Sequence, residues 1–102
     1  MKLNKENANL AVVKTAFHGG GPLSYHRSLA AATRALRKWQ GIGSCQCGCG
    51  AIVPIHPQAA DDLLAAELRG AFLSGVPSGE RAPLLEDLPD WAPGMSPYTI
   101  AK

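Results

Sequence analysis

The first apolar block, residues 8–17 (Ala-Asn-Leu-Ala-Val-Val-Lys-Thr-Ala-Phe), reads as a strand. Ala11, Val13, Thr15 and Phe17 fall on one face at the period of two that a strand imposes. The alternation is imperfect, because Leu10 and Val12 put large apolar groups on the other face. Gly19-Gly20-Gly21-Pro22 then interrupts any regular element and predicts a turn. Leu23 to Arg27 is short enough to be a return strand, which makes the pair a hairpin.

The period changes at Ser28, a residue type whose hydroxyl accepts a hydrogen bond from an orphan N–H at a helix start. Leu29, Ala32, Leu36 and Trp39 lie on one stripe at 100° per residue, so a helix is predicted over Leu29 to Trp39. Arg34, Arg37 and Lys38 lie opposite that stripe, and Gly41 and Gly43 end the element. Residues 45–55 run from a cysteine-rich string into Ala51-Ile52-Val53-Pro54-Ile55, which predicts a third strand. Pro57 opens a second helix at its first position, where the missing N–H costs nothing. Asp61 and Asp62 are placed near its start to suit the positive end of its dipole. Its apolar residues include Ala60, Leu63, Leu64, Leu68, Ala71 and Phe72, with Asp61 and Glu67 intruding. Gly70 weakens this helix, which fades before Gly75.

Five prolines follow between Val76 and Ala101, so regular structure is not expected there. The segment still carries Leu84, Leu85, Leu88, Trp91 and Tyr98, too many large apolar groups for a plain linker. It is expected to pack on the domain or on a partner. The element order is strand, strand, helix, strand, helix, extended tail. That predicts an α+β fold, with a compact domain over residues 1–75 and a proline-rich acidic tail over residues 76–102.

Composition narrows the class. A chain of 102 residues, 46% hydrophobic and 18% charged, supports one core. Leu, Ile, Val and Phe number 22, just above the roughly 20% below which disorder sets in. No apolar stretch has the length of a signal peptide or a membrane span, so a cytoplasmic location is expected. Three crowded cysteines do not resemble a secreted disulfide framework.

Charge is divided along the chain. Residues 1–50 hold seven basic side chains and one acid, a net +6, while residues 51–102 hold three basic side chains and seven acids, a net −4. Arg34, Arg37 and Lys38, with Arg27 and His26 close by, make a face that carries no acid. Such a face neutralises phosphates or meets an acidic protein surface. The plainer alternatives are a solvated helix face, or one covered by the chain's own Glu86-Asp87-Leu88-Pro89-Asp90. Among these cations the one aromatic is Tyr25, so a base-stacking platform has little support.

The string Cys45-Gln46-Cys47-Gly48-Cys49-Gly50 also has two readings. Cys45, Cys47 and Cys49 with His56 would form a Cys₃His zinc set, which makes one zinc ion the cofactor under that reading. A straight strand holds alternate Cα atoms about 6.6 Å apart, so the loop would have to bend. Against this, positions 45, 47, 49, 51, 53 and 55 form one apolar period-2 face, and a free cysteine behaves as a small hydrophobe. Under that reading there is no cofactor. The string resembles compact Cys-x-Cys-Gly-Cys-Gly clusters with a later histidine in small phage and bacterial proteins, where zinc binding is suspected.

Catalysis finds little support. Gly19-Gly20-Gly21 lacks the Gly-Lys-Ser/Thr of a phosphate loop, and the nearest Cys–His pair, Cys49 and His56, lacks an orienting third group. A non-catalytic inhibitor or adaptor is therefore expected, one that binds a large host protein or nucleoprotein complex. Glu86, Asp87, Asp90 and Trp91 would offer its acidic, apolar contact, or the basic helix its cationic one. The chain resembles in style the small accessory proteins of phages and mobile elements, anti-CRISPR proteins included, which often fill basic nucleic-acid channels with acidic surfaces. The alternative is a small nucleic-acid-binding module, with or without zinc, that uses Arg27, Arg34, Arg37 and Lys38.

Overall fold

The computed structural model describes residues 2–14, 21–41, 50–72 and 79–87. They form an α+β domain with strands β1 (Leu10–Val13), β2 (Pro22–His26) and β3 (Ala51–Pro54) and helices α1 (Leu29–Gly41) and α2 (Pro57–Leu68). A single 3-10 turn, Leu85–Asp87, follows. The sheet is antiparallel in the order β2-β1-β3. β1 and β2 form the expected hairpin, and β2–α1–β3 is a crossover that carries the chain over β1 to the far edge.

The central place of β1 explains why its alternation looked poor. Leu10, Ala11, Val12 and Val13 are all buried, so both faces of the strand are covered. β3 is buried throughout as well, including Ile52 and Pro54 on the face that looked weaker in sequence. A strand covered on both sides has no polar face to alternate with. Pairing runs Leu10 opposite His26 and Pro54, and Val12 opposite Ser24 and Ile52, so these residues share one face of the sheet.

α1 matches its predicted span to within two residues. Ser28 Oγ accepts from Ala31 N at 3.1 Å, as an N-cap should. The stripe also holds: Ala32 and Leu36 are fully buried, and Leu29 and Trp39 pack against the same core. Burying a leucine this completely contributes about 1.5–3 kcal/mol. α2 starts with Pro57 at its first turn, as expected. Asp61 and Asp62, however, lie beyond its first turn, which holds no acid. Asp61 instead accepts from Arg81 at 2.6 Å.

Gly70 closes α2. Its φ of +76° suits a left-handed terminus. Gly70 N bonds Glu67 O at 2.9 Å, and Ala71 N bonds Ala66 O at 2.9 Å. These two crossed bonds are a Schellman motif, which satisfies carbonyls that the helix end would otherwise orphan. The chain turns there and returns Phe72 to the core, while Leu68 stays 59% exposed.

The part of the proline-rich segment described here packs inward. Ala82 is buried and Leu85 leans on the core. Lys5 Nζ meets Glu86 Oε1 at 2.9 Å, on a turn braced by reciprocal bonds between Asn4 and Asn7. Exposed pairs such as Lys5–Glu86 and Asp61–Arg81 contribute about 0–1 kcal/mol each, so apolar burial is the stronger tether.

Gly50, just before β3, lies close against the side chains of Leu36 and Trp39 on α1. Gly50 has φ +108°, and a Cβ built there would sit 2.9 Å from Leu36 Cδ1 and 3.1 Å from Trp39 Cδ1. Trp39 Nε1 is buried beside it with no hydrogen-bond partner among the described residues. We predict that Gly50→Ala destabilises the fold by about 2–4 kcal/mol, combining left-handed strain with overpacking. Urea denaturation at unchanged m-value measures this. A loss below about 0.5 kcal/mol, the range of an inert surface change, would contradict the packing described.

Candidate functional site

The cations singled out in sequence are all exposed. Arg34, Arg37 and Lys38 project from α1, and Arg27 precedes its cap. Among the described residues none of the four is in an ion pair, since the two pairs present are Lys5–Glu86 and Arg81–Asp61. Self-screening of the basic face by the acidic segment is therefore not seen where the structure describes it. Glu86 is drawn to the N-terminal turn, and Asp87 is exposed. Asp90 and Trp91 lie outside the described residues.

His26, which the charge pattern set close to these cations, has a partner of its own on β2. His26 and Ser24 stand two apart on one strand face, and Ser24 Oγ and His26 Nε2 share a hydrogen bond of 2.7 Å. Partial burial pushes the His26 imidazole below its ordinary value, and the Arg34 guanidinium adds to that push. The Ser24 partner is visible in sequence as a Ser-x-His spacing on a strand. A catalytic triad would add a carboxylate on the far side of the ring. No carboxylate is hydrogen-bonded to the ring among the described residues.

His56 has another task. It is the N-cap of α2, where its Nδ1 accepts from Ala59 N at 3.2 Å. Its Nε2 donates to Asn9 Oδ1 at 2.9 Å, and Asn9 Nδ2 donates to the Arg27 carbonyl at 2.8 Å. Both ring nitrogens are thus engaged by the protein, and a metal ion at His56 would have to displace one of these bonds. Cys45, Cys47 and Cys49 lie outside the described residues. Among the described residues no cluster of three His, Cys, Asp or Glu side chains is placed to hold a metal ion.

One cleft opens where Arg27 meets the starts of both helices. It holds about 80 Å³ and is lined by Asn9, Leu10, Arg27, Leu29, Asp62 and Leu63, among others. Ligand pockets for drug-sized molecules run to roughly 300–1,000 Å³, so the cleft suits at most a single side chain or a few waters. Among the described residues no helix is long and apolar enough to cross a membrane. No family model matches this chain, and neither a curated protein nor a solved structure shows significant similarity to it.

Two expectations about these histidines follow. His56→Ala removes the α2 cap and should cost about 1 kcal/mol in urea denaturation; an unchanged midpoint would contradict the cap. His26 contributes to stability through its depressed folded-state value. The unfolded chain takes up the proton first as pH falls, so this contribution is complete above the ordinary value of 6.5 and is lost as pH falls through the folded-state value. His26→Gln should flatten that part of the stability profile, read by thermal unfolding across the range. An equally steep slope in the variant would assign it to another group.

Proposed function

We propose that the protein is a non-catalytic binding module whose basic face, Arg27, Arg34, Arg37 and Lys38, meets the phosphate backbone of a nucleic acid. The observation that carries this reading is the state of those cations. All four are exposed, and none is in an ion pair among the described residues, although acids are plentiful in the second half of the chain. Holding like charges together costs energy, and a polyanion removes that cost while releasing its condensed counterions. Arginines predominate, and their planar forks bond phosphate oxygens in pairs.

This face lacks the marks of base readout. α1 offers arginines and a lysine at helical spacing, with Ala30 and Thr33 between. Contacts of this kind set position and affinity more than sequence preference. The nucleic acid of a host nucleoprotein complex presents the same backbone, so an inhibitor or adaptor of the anti-CRISPR type could use the same face. Docking on a host protein through the acidic segment draws less support. Glu86 is paired with Lys5, and Leu85 faces the core rather than a partner.

Gel-shift or fluorescence-anisotropy assays with short DNA and RNA, single- and double-stranded, test the proposal. Affinity should fall steeply with salt, with a slope of log K on log salt of about −3, as roughly three to four neutralised phosphates require. The triple charge reversal Arg34→Glu, Arg37→Glu and Lys38→Glu should abolish binding while leaving the circular dichroism spectrum intact. No binding at low salt to any of these nucleic acids would overturn the proposal, and so would a fully active triple variant.

A further inference from the structure

We infer that the basic face prefers double-stranded to single-stranded nucleic acid, and that the preference comes from the charge density of the polymer. The inference rests on the nucleic-acid reading above and deepens it by naming the form of the polymer.

The face is a row of cations with little else on it. α1 runs for 13 residues without an acid. Its apolar side is committed to the fold, since Ala32 and Leu36 are fully buried and Leu29 and Trp39 pack on the same core. Ala30, Arg34, Arg37 and Lys38 recur at helical spacing on the opposite side, and all four are exposed. Arg34 and Lys38 are one turn apart, a rise of about 6 Å, with Arg37 between them. Ala30 projects only a methyl group, so no long side chain of α1 separates Arg34 from Arg27 on that side. Arg27 shares the small cleft with Asp62, which accepts from Gln58 Nε2 at 3.3 Å. The stretch clear of acids is therefore Arg34, Arg37 and Lys38, with Arg27 at its end.

Proteins that hold single strands add aromatic rings to such cations, and the exposed bases stack on them. The large aromatic rings among the described residues face the other way. Phe72 is buried, and Tyr25 and Trp39 pack against the core. Trp39 follows Lys38 directly in sequence, yet the helix turns the two side chains to opposite sides. A single strand thus meets the same cations as a duplex without the contact that would reward its unpaired bases.

Affinity then comes from release of condensed counterions, which grows with the charge per unit length of the polymer. Duplex DNA carries one charge per about 1.7 Å of axis and releases about 0.9 ion per neutralised phosphate, against about 0.7 for a single strand. Over roughly three to four phosphates, that difference favours the duplex about 5- to 10-fold at about 50 mM salt and about 3-fold at about 200 mM. The preference narrows as salt rises because the released ions gain less entropy.

Fluorescence anisotropy with the full chain tests this, using one labelled strand of about 20 nucleotides, free of self-complementarity, alone and annealed to its complement. After allowance for the sites that the second strand adds, the duplex should bind more tightly by the factors above, and the gap should shrink between the two salt concentrations. Equal or tighter binding of the single strand overturns the inference while leaving the nucleic-acid reading intact. A duplex preference that stays constant with salt overturns it too, because the preference would then have a source other than charge density. Absence of binding to either form at low salt overturns that reading and this inference together.

Discussion

Asn9 is the residue on which the arrangement of this domain turns. It sits at the entry to the central strand and is bonded in four directions. Its backbone N–H donates to the His26 carbonyl, and its own carbonyl accepts from Ile55 N, which ties it to both neighbouring strands. Its side-chain amide donates to the Arg27 carbonyl and accepts from His56. Arg27 leads into α1 and His56 caps α2, so one amide fixes the point of departure of both helices. Each bond alone is modest, about 0.5–1.5 kcal/mol net, but together they remove the freedom with which either helix could swing from the sheet. The direction of the basic face of α1 follows from that anchorage.

Local signals wrote most of the framework plainly. The α1 stripe, the Ser28 cap and the Pro57 start each depend on a residue's own conformational preference, and each lies where the pattern placed it; of the Gly19–Pro22 turn, Gly19 and Gly20 lie outside the described residues and Pro22 opens β2 instead. Other features depend on tertiary context. β1 showed no clean alternation because its position at the centre of the sheet buries both faces. His56 is an unusual cap, and only the nearness of Asn9, 47 residues away in sequence, shows how its ring is oriented. Gly70 read as a weakness of α2, whereas its left-handed φ makes it the terminator. Of the candidate site, the four cations were legible as a charge pattern. His26 was named beside them, but its bond to Ser24 was not, because it depends on two side chains sharing one face of a strand.

The split of charge along the sequence becomes a spatial one in the described part of the fold. Acids of the second half are partly engaged where they stabilise structure, Asp61 with Arg81 and Glu86 with Lys5. The cations of α1 are left to solvent. Ion pairs at these exposed positions contribute little to stability, so neutralising α1 internally would have gained the fold almost nothing. The same cations gathered on one exposed face produce a field that reaches about 8–10 Å into solvent at moderate salt, far enough to attract a polyanion before contact.

The two prolines that bound the sheet bear on how the molecule behaves in a crowded solution. Pro22 opens β2 on one edge, and Pro54 closes β3 on the other. An edge strand displays unpaired backbone groups, and another chain can add to them as a further strand. Proline supplies no N–H to such a ladder; Pro22 stands exposed on its edge, whereas the Pro54 ring is fully buried and β3 is covered along its length. With strands only four or five residues long, one blocked position removes a large share of the ladder that an added strand could use. The sheet is thus guarded differently on its two sides, by a proline that starts the exposed edge β2 and by burial of β3.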